Sequence, residues 1–229
     1  MAINPEDILI ILPAFNEGSV IAFVIDEIKK QGFPTICVVD DGSTDNTGDV
    51  VKKLDVEVLT HPINRGAGSA IQTGICYARS KNYQYCVLID SDGQHLPEDI
   101  KKLMDKMVTS QADLVIGNRF FKSVNDVPKR RLAYNKIANV LTNIFCAHKY
   151  SDTQSGFRLL NRKSIELIDL KNSGFGFCSE MIILAERLNL NIEETSIRVV
   201  YTPYSLKKGQ NLIEGVRTAR SILWNAIFE

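Results

Sequence analysis

Two aspartates one residue apart, in Asp90-Ser91-Asp92-Gly93, follow directly on the apolar run Cys86-Val87-Leu88-Ile89. A strand directs residues i and i+2 to one side, so both carboxylates leave its end together and can share a hard divalent cation. A cation held in this way grips a diphosphate, because it bridges two anionic oxygens. For an isolated D-x-D the simpler account is a turn, since Asp and Gly are common turn residues. A second acidic turn of the same build weighs against it: Ile36-Cys37-Val38-Val39 ends in Asp40-Asp41-Gly42-Ser43-Thr44-Asp45. Two apolar strands that each end in carboxylates imply one sheet edge arranged round a charged ligand, which is where open α/β sheets bind theirs.

Pro13-Ala14-Phe15-Asn16-Glu17 follows the first apolar run and would lie on the same edge. Asn16 and Glu17 either cap the next helix or take the N–H groups of a base and the hydroxyls of a ribose. Asn64-Arg65-Gly66-Ala67-Gly68 opens another helix, and its small residues let backbone N–H groups approach a phosphate there. Glycines at 66, 68 and 74 do not make G-x-G-x-x-G, and no G-x-x-x-x-G-K-[ST] occurs, which disfavours NAD enzymes and P-loop NTPases. His95 lies near the D-x-D, where it either touches a cation or diphosphate or, as the favoured reading, caps the helix at Pro97; His61 and His148 receive no role.

The elements that must position these residues alternate. Strands are expected at 8–12, 34–39, 56–59, 86–89 and 113–117, with helices at 20–31, 49–54, 68–81 and from Pro97 onward. This pattern predicts an α/β fold with a mostly parallel sheet and helices on both faces. The C-terminal third is less regular: helices at 132–147, 179–188 and 213–228, strands at 156–160 and 192–200. No repeat, low-complexity tract or linker divides the chain, so 1–229 is read as one domain, with 8–120 carrying the acidic tips and 121–229 the less regular remainder.

With 229 residues, 45% of them hydrophobic, and a formal net charge of +0, the chain can bury a full core. The charge balance argues against nucleic acid as a partner. Five cysteines without a C-x-x-C pair fit reduced core thiols of a cytosolic protein, and no zinc site is read. The N-terminus lacks a basic stretch followed by an apolar h-region, so no secretory signal is expected. No run approaches the roughly 20 apolar residues that span a bilayer, so any meeting with a membrane is expected from one surface.

Together these motifs resemble the inverting glycosyltransferases of family 2, of GT-A fold, and most closely the branch similar to dolichol-phosphate mannose synthase. The matching pieces are Leu12-Pro13-Ala14-Phe15-Asn16-Glu17, Val38-Val39-Asp40-Asp41-Gly42-Ser43-Thr44-Asp45, Asn64-Arg65-Gly66 with Gly74, Asp90-Ser91-Asp92-Gly93-Gln94, Gly117-Asn118-Arg119 and Asp152-Thr153-Gln154-Ser155-Gly156-Phe157-Arg158. The resemblance implies that Pro13, Glu17, Asp40 and Asp41 hold the nucleotide, with Asn16, Arg65, Gly66, Asp90 and Ser91 completing the nucleotide-sugar site. It implies that Asp90, Asp92 and Gln94 surround Mg²⁺ or Mn²⁺. Phe177, Glu180 and Tyr204-Ser205-Leu206-Lys207-Lys208-Gly209 match more loosely.

A hydroxyl acceptor needs a general base, whereas a phosphate monoester is already anionic at neutral pH and needs cations to position it. Arg119, Arg130, Arg131, Arg158 and Lys207 can supply those cations, and Arg suits planar contacts to phosphate. Arg119 and Arg131, with Asp92 and Asp152, form the expected catalytic set; Arg130, Arg158, Glu180, Ser205 and Lys207 the acceptor set. Asp152 is either a base or the group that orients Arg158 and the acceptor phosphate. The expected reaction moves a hexose from a UDP- or GDP-sugar to a polyprenyl phosphate, at the cytoplasmic membrane face, by a peripheral protein. A homo-oligomer or a membrane-protein partner is compatible with this. The alternatives are a saccharide or other hydroxyl acceptor, and a nucleotide-sugar-binding subunit without catalysis. The Q-x-x-R-W signature of processive synthases is missing, so polymer synthesis is not expected.

Overall fold

The computed structural model describes residues 3–121 and 129–200, with the side chains of 129–134 outside that description. Strands β1 (Ile8–Ala14), β2 (Ile36–Asp40), β3 (Glu57–Thr60), β4 (Tyr85–Leu88), β5 (Leu114–Asn118), β6 (Arg158–Asn161) and β7 (Ile192–Ser196) form one sheet in the order β3-β2-β1-β4-β6-β5-β7. Every pairing is parallel except those of β6, which runs antiparallel to both β4 and β5. The helices are α1 (Ile21–Lys30), α2 (Thr47–Val51), α3 (Ala67–Ser80), α4 (Ile100–Ser110), α5 (Lys129–Asn143), α6 (Arg162–Leu167) and α7 (Phe177–Arg187).

The unbroken apolar run of β1 is explained by burial on two sides, because alternate side chains point to opposite faces. Ile8, Ile10 and Leu12 join one core layer with Val24, Ile25 and Ile28 of α1 and Leu103 and Met107 of α4. Leu9 and Ile11 join the other, with Ala70, Ile71 and Ile75 of α3 and Met181 and Ile182 of α7. Burying each such side chain fully is worth about 1.5–3 kcal/mol. Helix α3 approaches β1 closely enough that a Cβ at Gly74 would lie 2.4 Å from Ile11 Cγ2, so a larger residue there would force the two layers apart.

The expected alternation and mixed, mostly parallel sheet are found, with element ends shifted by a few residues. Helix α2 starts two residues earlier than expected, and the helix expected from Pro97 begins as a 3₁₀ turn over Pro97–Asp99 that continues into α4. Helix α6 was not anticipated, because six residues carry too few apolar positions for a stripe; its signal is local, the Asn161 side chain accepting from the Ser164 N–H at 2.9 Å. Cys37, Cys86 and Cys178 are buried thiols as expected, but Cys76 is exposed. The expected helix at 213–228 lies outside the described residues, as do Ser205 and Lys207. Among the described residues no helix is long and apolar enough to cross a membrane.

The antiparallel insertion of β6 organises the site. Its rung Leu88↔Arg158 puts the start of β6 beside the carboxyl end of β4, so the turn preceding it, 152–157, returns to the edge carrying the D-x-D. The carboxyl end of β5 reaches the same edge through Ile116↔Arg158. Residues from three separate parts of the sequence therefore meet at one rim.

Candidate active site

Strand β1 lies between the two acidic tips. Its rung Ala14↔Asp40 ties it to β2, while the Ile89 N–H donates to Ile11 O at 3.2 Å and Ser91 Oγ donates to Pro13 O at 2.6 Å. The tips at 40–41 and 90–92 thus share one edge, two strand spacings or about 10 Å apart, a span suited to an extended nucleotide diphosphate.

On the β1–β2 side the loops stitch to one another. Asn16, in the left-handed region at φ 56, accepts through Oδ1 from the N–H groups of Thr44 (2.8 Å) and Asp45 (3.2 Å), while its own N–H donates to Ser43 Oγ. The Glu17 N–H donates to Thr47 Oγ1 at 2.8 Å, and Asp40 Oδ1 accepts from the Ser43 N–H at 3.0 Å. Asp40 and Glu17 are buried at the base of this wall.

Asp41 has a different task. Its carboxylate accepts from the N–H groups of Arg65 (2.9 Å) and Gly66 (2.7 Å) and meets His61 Nδ1 at 2.6 Å, while His61 Nε2 contacts Thr73 Oγ1 at 2.9 Å. Asp41 therefore fastens the 61–66 loop to the sheet edge, and His61, which received no role from the sequence, is the link to α3. The expectation that N–H groups at this helix start meet a phosphate is corrected. The Gly66 N–H goes to Asp41, and the Gly68 and Ser69 N–H groups donate to Ser173 O at 2.8 and 3.3 Å. The glycines serve close packing instead: a Cβ at Gly66, where φ is +97, would sit 2.3 Å from Ser173 O, and one at Gly68 would sit 2.0 Å from Asn172 O.

At the D-x-D, Asp92 accepts from the Gln94 backbone N–H at 2.9 Å and from the Gln94 side-chain amide. His95 does not cap a helix. Its Nε2 lies 3.2 Å from Asp90 Oδ2, its ring packs on Phe157 with centroids 5.2 Å apart, and a bridge joins its backbone to Val199. Burial works to raise the pKa of Asp90, but the His95 hydrogen bond and the charges of His95, Arg119 and Arg158 outweigh it and hold the group below the ordinary carboxylate value. For Asp92, burial and then the Asp90 charge push the pKa up against the Gln94 hydrogen bonds. Two carboxylates whose pKa values are driven apart at one strand end suit a divalent cation, which would favour both as ions. A Cβ on Gly156 would lie 2.8 Å from Asp90 Oδ1, so the room beside that oxygen depends on glycine. Among the described residues no three His, Cys, Asp or Glu side chains form a metal-binding group.

Opposite the D-x-D, Asp152 is fully buried and accepts from Arg119 three times: from the backbone N–H at 2.9 Å, Nε at 2.7 Å and Nη2 at 2.7 Å. It orients Arg119, not Arg158. Arg158 is itself sealed from solvent, donating through Nε to Ser155 O (2.9 Å) and through Nη2 to Thr153 O (3.0 Å) and Cys178 O (2.8 Å). The expected acceptor contact is corrected for Arg158: full burial in the 152–157 turn leaves its guanidinium no surface to offer. Glu180 likewise faces inward, accepting from the Lys171 and Asn172 N–H groups at 2.7 and 2.9 Å. Arg130 and Arg131 fall in the first turn of α5, with side chains outside the described set.

The sequence reading also missed Glu194 on β7, whose carboxylate accepts from Asn118 Nδ2 (2.8 Å) and the Asp152 N–H (3.0 Å). Nothing in Ile192-Glu193-Glu194-Thr195 singles it out, since acidic residues on a strand at the sheet edge read as solvated.

Comparisons with known proteins agree with this geometry. The model for "Glycosyl transferase family 2" matches residues 9–168. The chain is 34% identical over 230 residues to an uncharacterized protein of Methanocaldococcus jannaschii, covering 99% of this chain and 95% of that one. It is 29% identical over 231 residues to the UDP-N-acetylglucosamine–dolichyl-phosphate N-acetylglucosaminyltransferase of Methanococcus voltae, covering 92% of each. Among solved structures, glucosyl-3-phosphoglycerate synthase from Mycobacterium tuberculosis, in complex with Mn²⁺ and UDP-glucose, superposes with a TM-score of 0.70 at 22% identity, covering 94% of this chain and 76% of that one. The fold is thus the GT-A arrangement that the motifs implied.

Proposed function

This chain belongs to glycosyl transferase family 2, and we propose that it transfers a sugar from a UDP- or GDP-sugar to a polyprenyl phosphate, inverting the configuration at the sugar carbon. The observation that carries the acceptor is the state of Asp152. A hydroxyl acceptor requires a carboxylate or imidazole able to take its proton. Asp152 is buried and saturated by Arg119, and the Glu180 carboxylate is turned onto backbone N–H groups, so both carboxylates considered as bases serve as anchors. A phosphate monoester needs no base. Its anionic oxygen attacks the anomeric carbon directly, the bond from that carbon to the donor diphosphate breaks, and the nucleoside diphosphate leaves with the bonding pair. The Methanococcus voltae relative, named as a dolichyl-phosphate N-acetylglucosaminyltransferase, supports the same choice.

Within this reading the loops 14–18 and 40–47 form the nucleoside wall, and Asp90, Asp92 and Gln94 would hold Mg²⁺ or Mn²⁺. When bound there, such an ion would supply charge neutralisation for the departing diphosphate, a contribution of several kcal/mol. Arg119, fixed by Asp152, meets the acceptor phosphate, with Arg131 as a second cation. A polyprenyl tail stays in the bilayer, so the protein works peripherally at a membrane surface, on the cytoplasmic side.

The test is incubation of labelled UDP-N-acetylglucosamine, UDP-glucose and GDP-mannose with polyprenyl phosphate, with and without EDTA. Metal-dependent product on the lipid phosphate is expected. Transfer to saccharides only, or transfer unaffected by EDTA, rejects the proposal. Asp92→Asn should lower turnover by roughly a hundredfold or more while leaving the melting temperature near wild type.

A further inference from the structure

Arg119 is gripped from both sides of its backbone. Asn118, fully buried, accepts through Oδ1 from the N–H groups of Phe120 (2.7 Å) and Phe121 (3.1 Å). Its Nδ2 donates to Ser151 Oγ at 2.6 Å and to Glu194 Oε1 at 2.8 Å. The same Glu194 carboxylate accepts from the Ser151 N–H (3.1 Å to Oε2), Ser151 Oγ (3.0 Å) and the Asp152 N–H (3.0 Å). Each of these partners donates to the carboxylate, whose two oxygens supply the acceptors for all of them. One side chain on β7 thus joins the residue before Arg119 to the turn that carries its counter-ion. Rung Asn118↔Ser196 keeps β7 in register with β5 for this purpose.

We propose, resting on the reading of Arg119 as the cation that meets the acceptor phosphate, that Glu194 is a positioning residue for that step. It holds Asn118 and the 151–152 turn in one frame, so that Asp152 meets the guanidinium through two oxygens and Arg119 keeps a fixed aim. Glutamine is the informative replacement, because it keeps the shape but turns an NH₂ group toward a cluster of donors.

The experiment compares wild type with Glu194→Gln in two readouts: phenylglyoxal modification of Arg119, followed by peptide mass, and the KM for polyprenyl phosphate. Faster labelling of Arg119 and a KM raised roughly tenfold are expected, the size of losing about one hydrogen bond's worth of positioning. Binding of Mn²⁺–UDP should stay at the wild-type level. In an Arg119→Ala background Glu194→Gln should add no further rise in KM, because the two act as one unit. Wild-type labelling and KM in a folded Glu194→Gln protein overturn the assignment, as does a rise that persists without Arg119. Should Glu194→Gln not fold, Ser151→Ala decides, since it removes only the hydroxyl shared by Asn118 and Glu194; unchanged labelling there also overturns it. Labelling requires no acceptor, so a wild-type protein that transfers no sugar would count against the proposed function and leave the assignment of Glu194 to be decided by labelling.

Discussion

Replacing Asp152 by asparagine separates a base from an anchor. In the native protein the carboxylate is fully buried and takes three hydrogen bonds from Arg119, whose side chain is only 15% exposed. Asparagine keeps one acceptor oxygen but sets an NH₂ group against the fork of guanidinium donors. At least one charge-assisted bond is lost. Breaking a buried pair from one side costs about 3–5 kcal/mol, and the partial exposure of Arg119 puts this case near the lower end, about 3 kcal/mol. For a domain of this size that is a fall in melting temperature of about 6–12 °C. Losing one such bond's worth of aim, about 1.5–3 kcal/mol, lowers kcat/KM for the lipid phosphate by roughly 10- to 100-fold. The assays are thermal unfolding and a pH series of kcat/KM. Because no proton leaves the acceptor in the proposed step, the variant should keep the shape of the wild-type pH profile. An Asp152→Asn protein with unchanged stability, and with a limb of the pH profile abolished along with nearly all transfer, would refute this account and make Asp152 the base.

Four other outcomes are expected. Gly156→Ala should weaken Mn²⁺ binding, measured by titration of the free-ion electron paramagnetic resonance signal, because its methyl group would lie 2.8 Å from Asp90 Oδ1; unaltered affinity would remove Asp90 from the metal site. Gly66→Ala should destabilise the fold by about 1–3 kcal/mol in urea unfolding, since it adds strain at positive φ and a clash with Ser173 O. Asp113 supplies an acid-side prediction. Burial works to raise its pKa, but hydrogen bonds from the Asn191 N–H, Asn161 Nδ2 and Lys163 hold it below the ordinary value. Its stabilisation is therefore fully present above the ordinary carboxylate range and is lost as pH falls through the depressed pKa. Stability measured from pH 7 downward should drop in that window, and Asp113→Asn should flatten the drop.

Adding UDP, GDP or their sugars with Mn²⁺ should raise the melting temperature for the base that fits, because a ligand bound only by the folded state stabilises it by mass action.

Much of the arrangement of residues 8–120 was legible in the chain itself. Apolar runs such as Ile36-Cys37-Val38-Val39 and Cys86-Val87-Leu88-Ile89 must be buried on both faces, and a buried parallel strand delivers whatever follows it to the carboxyl edge. Two acidic tips after two such runs therefore had to share a rim, and they do. That inference needs only local periodicity and the rule that parallel strands point one way.

Which side chains are held by the protein's own backbone was decided by tertiary structure alone. Asp41, Arg158 and Glu180 read as ligand-facing in the sequence, yet each binds backbone groups of its own chain, with Arg158 Nη1 left buried without a partner. Their fate depends on where the Arg65–Gly66, Thr153–Ser155 and Lys171–Asn172 segments pass, and no local pattern encodes that. Asp152 and Arg119 stand 33 residues apart and Glu194 a further 42 beyond Asp152. They meet because β6 runs backward between β4 and β5, returning its leading turn to the active rim. The direction and register of that strand follow from long-range packing of both core layers, a free-energy balance spread over the whole sheet rather than held in any window of sequence.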